Sequence, residues 1–362
     1  MSGFNPSRLR LARERRGILQ KELALRCNVA QNTLYNWESG ATVPADETSM
    51  ACLVRELEFP EAFFYRPTLD PLPEGAASFR ARTKLPPRQK RAALAAGDLA
   101  RELARWIEDR FDLPPVRLPD LHNQQPELAA QVIRAEWMLG AKPIPNILHL
   151  LESRGVLVFS LCQDCHELDA FSFWFGDRPI VLLNTMKSAE RSRLDAAHEL
   201  FHLVAHTEET GRKEEEDANA FAGALLMPRE DVYKHIPRIL SLPQLMQDKR
   251  RWGASLAALV YRLHELKIAS DWQYRKLFLD LSKRGYRTAE PNPMPRETSA
   301  VLTKVFEELR KQGTSHRRIA SDLAWPTKEL NEFIFGLGAG LVGMDGSGNS
   351  NGGNGRDHLK LL

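Results

Sequence analysis

Residues 195–206 read DAAHELFHLVAH, and within them His198, Glu199 and His202 form a His-Glu-x-x-His motif. The surrounding run is strongly apolar and reads as a helix, on which histidines four apart share one face about a turn apart. Two imidazoles so placed can hold one divalent cation. A glutamate beside them can take a proton from water that the cation polarises. That is the chemistry of metal-assisted hydrolysis. The competing reading is a core helix whose histidines are satisfied by ordinary hydrogen bonds.

A catalytic zinc takes a third protein ligand and keeps one position open. About a dozen residues downstream, KEEEDANAFAGALLMP reads as a second helix with the apolar stripe Ala218, Phe221, Ala222 and Leu225. On a helical wheel Glu214 and Glu215 project from the two borders of that stripe, whereas Glu216 points away. A carboxylate aimed at a packed face needs a partner, and a metal would be one. An acidic first turn favouring the helix N-terminus would also explain the cluster. The residues alone therefore leave both Glu214 and Glu215 open. Three other features draw less chemistry. His206 sits two turns after His198 and reads as a rim residue. Cys162-Gln-Asp-Cys165-His166 spells a haem-attachment sequence but reads as an exposed loop with two thiols. His264-Glu265 lacks a second histidine and reads as surface.

These helices need a scaffold. GVLVFSL, DAFSFWF and RPIVLLN are the strand candidates. Residues 93–112 carry apolar residues at helical spacing, and 285–336 return to helix. Within the latter, Trp325 lies in a weak helix-turn-helix rhythm that reads as a packing bundle. The glycine-rich segment from Gly336 cannot bury a core. TLDPLPEGAAS reads as a linker and FRARTKLPPRQKR as a solvated basic connector. Hydrophobic content of 43% and charged content of 27% in 362 residues exclude wholesale disorder and fit two or three globular domains. No membrane span or secretory signal is legible, and four cysteines are too few for a disulfide framework, so a cytoplasmic protein is expected. The net charge is only +3. Through Arg26, however, Arg8, Arg10, Arg13, Arg15, Arg16, Lys21 and Arg26 oppose only Glu14 and Glu22, a local basic footprint of the kind that attracts phosphate.

Beyond that footprint, QKELALRCNVAQNTLYNWESGATVP has the cadence of two short helices around an Asn28-Val29 turn. Leu23, Ala24 and Cys27 face inward on the first helix, and Val29, Leu34 and Trp37 on the second. The second helix presents Gln31, Asn32, Thr33, Tyr35 and Asn36, which can bond base edges and phosphates in a major groove. This segment resembles the Cro/repressor-type helix-turn-helix of the XRE regulators. The resemblance implies double-stranded DNA as a partner, Gln31, Thr33 and Asn36 as readers, and Gln20 and Lys21 near phosphates. Ala30 stands where many relatives have Ser. A homodimer across a two-fold operator is a further expectation.

From RPIVLLN through AERSRLDAAHELFH to EEEDANAFAGALLMPR, the sequence resembles the ImmA/IrrE metallopeptidases. That resemblance implies Zn2+, with Mn2+ as the alternative, held by His198, His202 and Glu215, with Glu199 as general base. It also implies a protein substrate, another transcription regulator, cut so that repression ends. RPIVLLN would be the sheet edge to which an extended peptide adds. Phe201 departs from the family, which usually has Gly there. The expected fold is mainly α with a small β-sheet (α+β). It divides into an all-α helix-turn-helix domain at 1–66, a linker and connector at 67–92, and a zincin-like metallopeptidase domain at 93–284. A helical region at 285–336 and a flexible tail at 337–362 complete it. Two readings compete with a peptidase: a repressor or antitoxin whose metallopeptidase fold is non-catalytic and senses or dimerises, and a defence component that binds a partner protein.

Overall fold

The structure is a computed structural model that describes residues 3–73, 78–81, 86–161, 167–205, 211–236, 241–334 and 336–337. The N-terminal run folds as four helices: α1 (Pro6–Arg15), α2 (Gln20–Arg26), α3 (Gln31–Ser39) and α4 (Glu47–Leu57). Asn5 caps α1 through its side chain, with Pro6 in the first turn, where a missing N–H costs nothing. The α2–α3 turn is made by Asn28 in the left-handed region (φ 52), a conformation asparagine tolerates. Leu9, Ala12, Leu23, Leu34, Trp37 and Leu53 close the core of this unit. Cys27, at the end of α2, is disulfide-bonded to Cys52 of α4, with Cα atoms 5.5 Å apart. Two of the four cysteines are therefore paired, which weakens the reducing compartment inferred from their small number.

A long helix, α5 (Pro87–Glu108), follows. It starts within the stretch read as a basic connector. The preceding residues 67–73 are not loose either. Leu72 is buried and its N–H donates to Asp98 of α5. Next come α6 (Pro126–Glu136), α7 (Ile147–Ser153) and the strands β2 (Leu157–Ser160), β3 (Leu168–Phe175) and β4 (Arg178–Leu183), with β1 (Ser78–Ala81) contributed from before α5. The sheet order is β1-β3-β4-β2, parallel between β2 and β4 and antiparallel elsewhere. The three expected strands are present; β1 was not foreseen.

One expectation is overturned here. RPIVLLN is not an edge: β4 is paired on both sides and is buried along five of its six residues. The reason lies in its composition. An uninterrupted apolar run, without polar alternation, is the signature of a strand covered on both faces.

Alternation along β3 separates two helical layers. Phe171 and Phe173 face α5 at Gly97, where an added Cβ would lie 3.4 Å from each ring and 3.0 Å from Leu72. Ser172 and Trp174 face the opposite side and meet α8 (Ala189–Ala205). Then come α9 (Arg212–Leu226), α10 (Arg229–His235), α11 (Leu242–Trp252), α12 (Leu256–Glu265) and α13 (Asp271–Lys283). The last helices are α14 (Ala300–Lys311), α15 (His316–Leu323) and α16 (Thr327–Ile334). The α15–α16 pair packs as a bundle. Phe333 meets Phe159 of β2 edge-on, and buried Trp325 donates to Glu102 of α5. No helix among the described residues is long and apolar enough to cross a membrane.

The N-terminal unit is fastened to this body by buried charges. Arg8 forms a two-pronged pair with Glu102 (2.9 Å each), which also accepts from Arg66. Arg15 reaches Glu329 (2.5 Å) and Glu332 (2.8 Å) on α16, and Arg16 reaches the other oxygen of Glu329 (2.8 Å).

Candidate metal centre and DNA-reading helix

Helix α8 is held in place by charge at its first half and by packing at its second. Arg191 bridges Asp169 of β3 (2.6 Å) and Asp195 one turn along its own helix (3.2 Å), while Lys187 also contacts Asp169 (2.6 Å). Lys249 of α11 and Glu190 form a further buried pair at 3.0 Å. From Ala196 to Ala205 every residue is buried, so the motif histidines project into the space between α8 and α9 with little rotational freedom.

Three side chains converge there. His198 Nε2 and His202 Nε2 lie 3.1 Å apart. Glu215 Oε2 is 3.4 Å from His198 Nε2, and Glu215 Oε1 is 3.6 Å from His202 Nε2. Ligands about 2.0–2.1 Å from a tetrahedral zinc are separated by about 3.3 Å, so this triangle fits one such ion. The donor set, two imidazoles and a carboxylate, suits zinc and its neighbours. Burial pushes the Glu215 carboxyl up, but the two imidazoles more than reverse this and hold it well below the usual carboxylate range. It is therefore ionised, as a ligand must be.

Of the two glutamates left open by the helical wheel, the fold brings Glu215 to the histidines. Glu214 turns back over Gly211 at the start of α9. Asn219 donates from its side chain to the Glu215 carbonyl at 2.7 Å, an i to i+4 link that braces this turn. Phe201 does not enter the cluster. Its ring is buried and packs on Phe221 of α9 with centroids 5.3 Å apart, so the bulk found in place of glycine fills the contact between the helices that bear His198, His202 and Glu215.

Glu199 is fully buried next to the histidines, facing the sheet. Its Oε2 accepts from Ser172 Oγ on β3 at 2.7 Å. Sequence reasoning missed Ser172, although its place among the phenylalanines of DAFSFWF marks the polar side of that strand. His264 pairs with Asp271 at 2.7 Å on the surface, as expected of it. His206 and Cys162 to His166 lie outside the described residues.

In the N-terminal unit, Gln31 and Tyr35 of α3 are exposed and Thr33 and Asn36 half-buried, while Leu34 and Trp37 face inward. Lys21 is exposed. Gln20 is half-buried and donates to Glu38 at 2.7 Å, so its amide is engaged within the unit. The basic footprint dissolves on folding. Six of its seven members are ion-paired, namely Arg8, Arg10, Arg13, Arg15, Arg16 and Arg26. Arg8, Arg13, Arg15 and Arg16 are spent on buried carboxylates and brace the unit instead of facing phosphate.

Comparison with protein families agrees with this geometry. Residues 9–53 match the helix-turn-helix family model, and residues 151–264 match that of the IrrE N-terminal-like domain of peptidase family M78. The chain thus carries one segment like the XRE-type helix-turn-helix and another like the ImmA/IrrE domain. Comparison with curated proteins finds no match. The helix-turn-helix segment supports a DNA-binding regulator, joined to a metallopeptidase-like domain at 151–264. The matched IrrE-like segment opens within α7 and contains α8, α9 and three of the four strands.

Proposed function

We propose that this protein is a metal-dependent endopeptidase that reads DNA through residues 1–66 and cleaves another regulator protein through residues 93–284. In this reading 285–336 fasten the two units together through Glu329 and Glu332, and β1, within the expected connector at 67–92, belongs to the sheet of the second unit. The single observation that carries the proposal is the convergence of His198, His202 and Glu215 within 3.1–3.6 Å beside a buried Glu199.

His198, His202 and Glu215 would hold the ion, zinc in the first instance and manganese as the alternative. When bound, such an ion supplies Lewis-acid polarisation of water and of a peptide carbonyl. Glu199 accepts a proton from the attacking water and returns it to the leaving amine. The buried walls of α8 and β3 keep competing solvent from the Glu199 carboxylate. Gln31, Thr33 and Asn36 would contact base edges, and Lys21 and Gln20 the backbone, with two copies of the chain on a two-fold operator.

The test is cleavage of candidate repressors by the native protein and by Glu199→Gln. The variant is expected to keep its metal and lose hydrolysis. Equal cleavage by both would refute the proposal. For the DNA unit, log K should fall linearly with log salt and weaken on Gln31→Ala/Asn36→Ala. Binding indifferent to both would refute the assignment.

A further inference from the structure

Glu199 and Leu203 are one turn apart on α8, about 6 Å along the helix axis. Ser172 and Trp174 are two residues apart on β3, about 6.6 Å along the strand and on the same face. The two spacings match, and each strand residue donates to its helix counterpart. Ser172 Oγ donates to Glu199 Oε2 at 2.7 Å and Trp174 Nε1 to the Leu203 carbonyl at 3.2 Å. Helix α8 therefore cannot slide along the sheet without losing both bonds together. β3 is itself paired on both sides, Ser172 being in register with Val181 of β4 and Ser78 of β1, so its backbone is fixed in two directions.

We propose that Ser172 is the positioning residue for Glu199, holding its carboxylate in one geometry through the hydrogen bond to Oε2. The inference rests on the peptidase reading above. Ser172 is 2% exposed and lies on the face of β3 toward α8, where its two neighbours in sequence, Phe171 and Phe173, point away. A hydroxyl suits the task because it donates to Oε2 in both states of the glutamate. It does so to the carboxylate, and equally to the carbonyl oxygen of the protonated carboxyl. The proton moves from water to the Glu199 carboxylate and from there to the leaving nitrogen, while the Ser172 proton stays in place. Holding the base in one geometry through such a cycle is what a supporting hydrogen bond contributes to a general base.

The experiment uses the full-length protein and four variants, Ser172→Ala, Ser172→Cys, Ser172→Thr and Glu199→Gln. Cleavage kinetics, metal content and crystal structures of the zinc-loaded proteins are compared. Ser172→Ala and the near-isosteric Ser172→Cys should lower kcat at least tenfold with KM and metal content unchanged, and Ser172→Thr should restore most of it. In the Ser172→Ala crystal the Glu199 carboxylate should rotate or occupy two conformers. A kcat within twofold of native in Ser172→Ala and Ser172→Cys, with Glu199→Gln inactive, overturns the role of Ser172 and leaves the peptidase reading standing. A Glu199 side chain unmoved in Ser172→Ala overturns it whatever the activity. Absence of hydrolysis in the native, metal-loaded protein overturns both.

Discussion

The clamp between α1 and α16 can be broken by one substitution whose cost follows from burial. Arg15 has a fully buried side chain and Glu329 is 1% exposed, 2.5 Å away. Glu329→Leu removes the carboxylate shared by Arg15 and Arg16 and leaves the Arg15 guanidinium beside Glu332, itself 13% exposed. Removing one partner of a buried pair costs roughly 3–5 kcal/mol, two to four decades in the folding equilibrium. The double variant Arg15→Met/Glu329→Leu removes both fully buried charges, leaves Arg16 and Glu332 at 12% and 13% exposure, and should recover part of that loss. Equilibrium unfolding in guanidinium chloride, followed by circular dichroism, measures both, and hydrogen exchange on α1 and α16 localises the effect. Burial alone would raise the Glu329 pKa, but Arg15 and Arg16 hold it below its ordinary 4.5. The clamp's contribution is thus complete above that pH and is lost on acidification through the folded value. A Glu329→Leu protein less than 1 kcal/mol weaker than native would refute the reasoning, as would a double variant costing the sum of the two singles; both figures rest on buried-pair energetics.

Three further expectations follow from single contacts. Phe201→Ala removes the ring packed on Phe221 and should cost about 3–5 kcal/mol in unfolding experiments, with weakened zinc affinity in competition titrations; unchanged stability would mean that the ring does not join α8 to α9. Burial pushes Glu152 up to about 7 from 4.5, against the Ser299 hydroxyl and the N–H groups of Val301 and Ala300. The folded state then binds this proton more tightly than the unfolded chain. Stability is full below about pH 4.5 and falls by about 3 kcal/mol as pH rises to 7, a slope that Glu152→Gln should flatten; identical pH profiles would contradict this. Reducing the Cys27–Cys52 bond, which closes a loop containing α3, should lower stability by about 3 kcal/mol, an effect absent in Cys27→Ser/Cys52→Ser. A protein whose melting ignores reductant would count against it.

How much of this was legible in the sequence depended on how local the signal was. The motif on α8 and the third carboxylate on α9 could be read because each lies within a few turns of helix, where a 3.6-residue period assigns direction. The wheel narrowed the candidates to Glu214 or Glu215, the family resemblance implied Glu215, and the packing of α9 against α8 brings Glu215 to the histidines. The strands at 157–160, 168–175 and 178–183 were visible from composition, yet their order was not, since pairing is decided between segments. The uninterrupted apolar run of β4 did carry the information that it is interior. β1 is four residues within a basic stretch and is defined by its pairing with Ser172, Phe171 and Ala170. The basic footprint misled for the same reason. Composition counts charges but not their partners, which lie 94 residues away for Arg8 and 314 for Arg15.

The central claim is that three side chains bind one divalent ion, and elemental analysis tests it most directly. Protein purified without chelators should carry one zinc or manganese per chain, retained in Glu199→Gln and lost in His198→Ala and Glu215→Ala. Native protein free of any transition ion after such a preparation, or Glu215→Ala that keeps the full complement, would contradict the account.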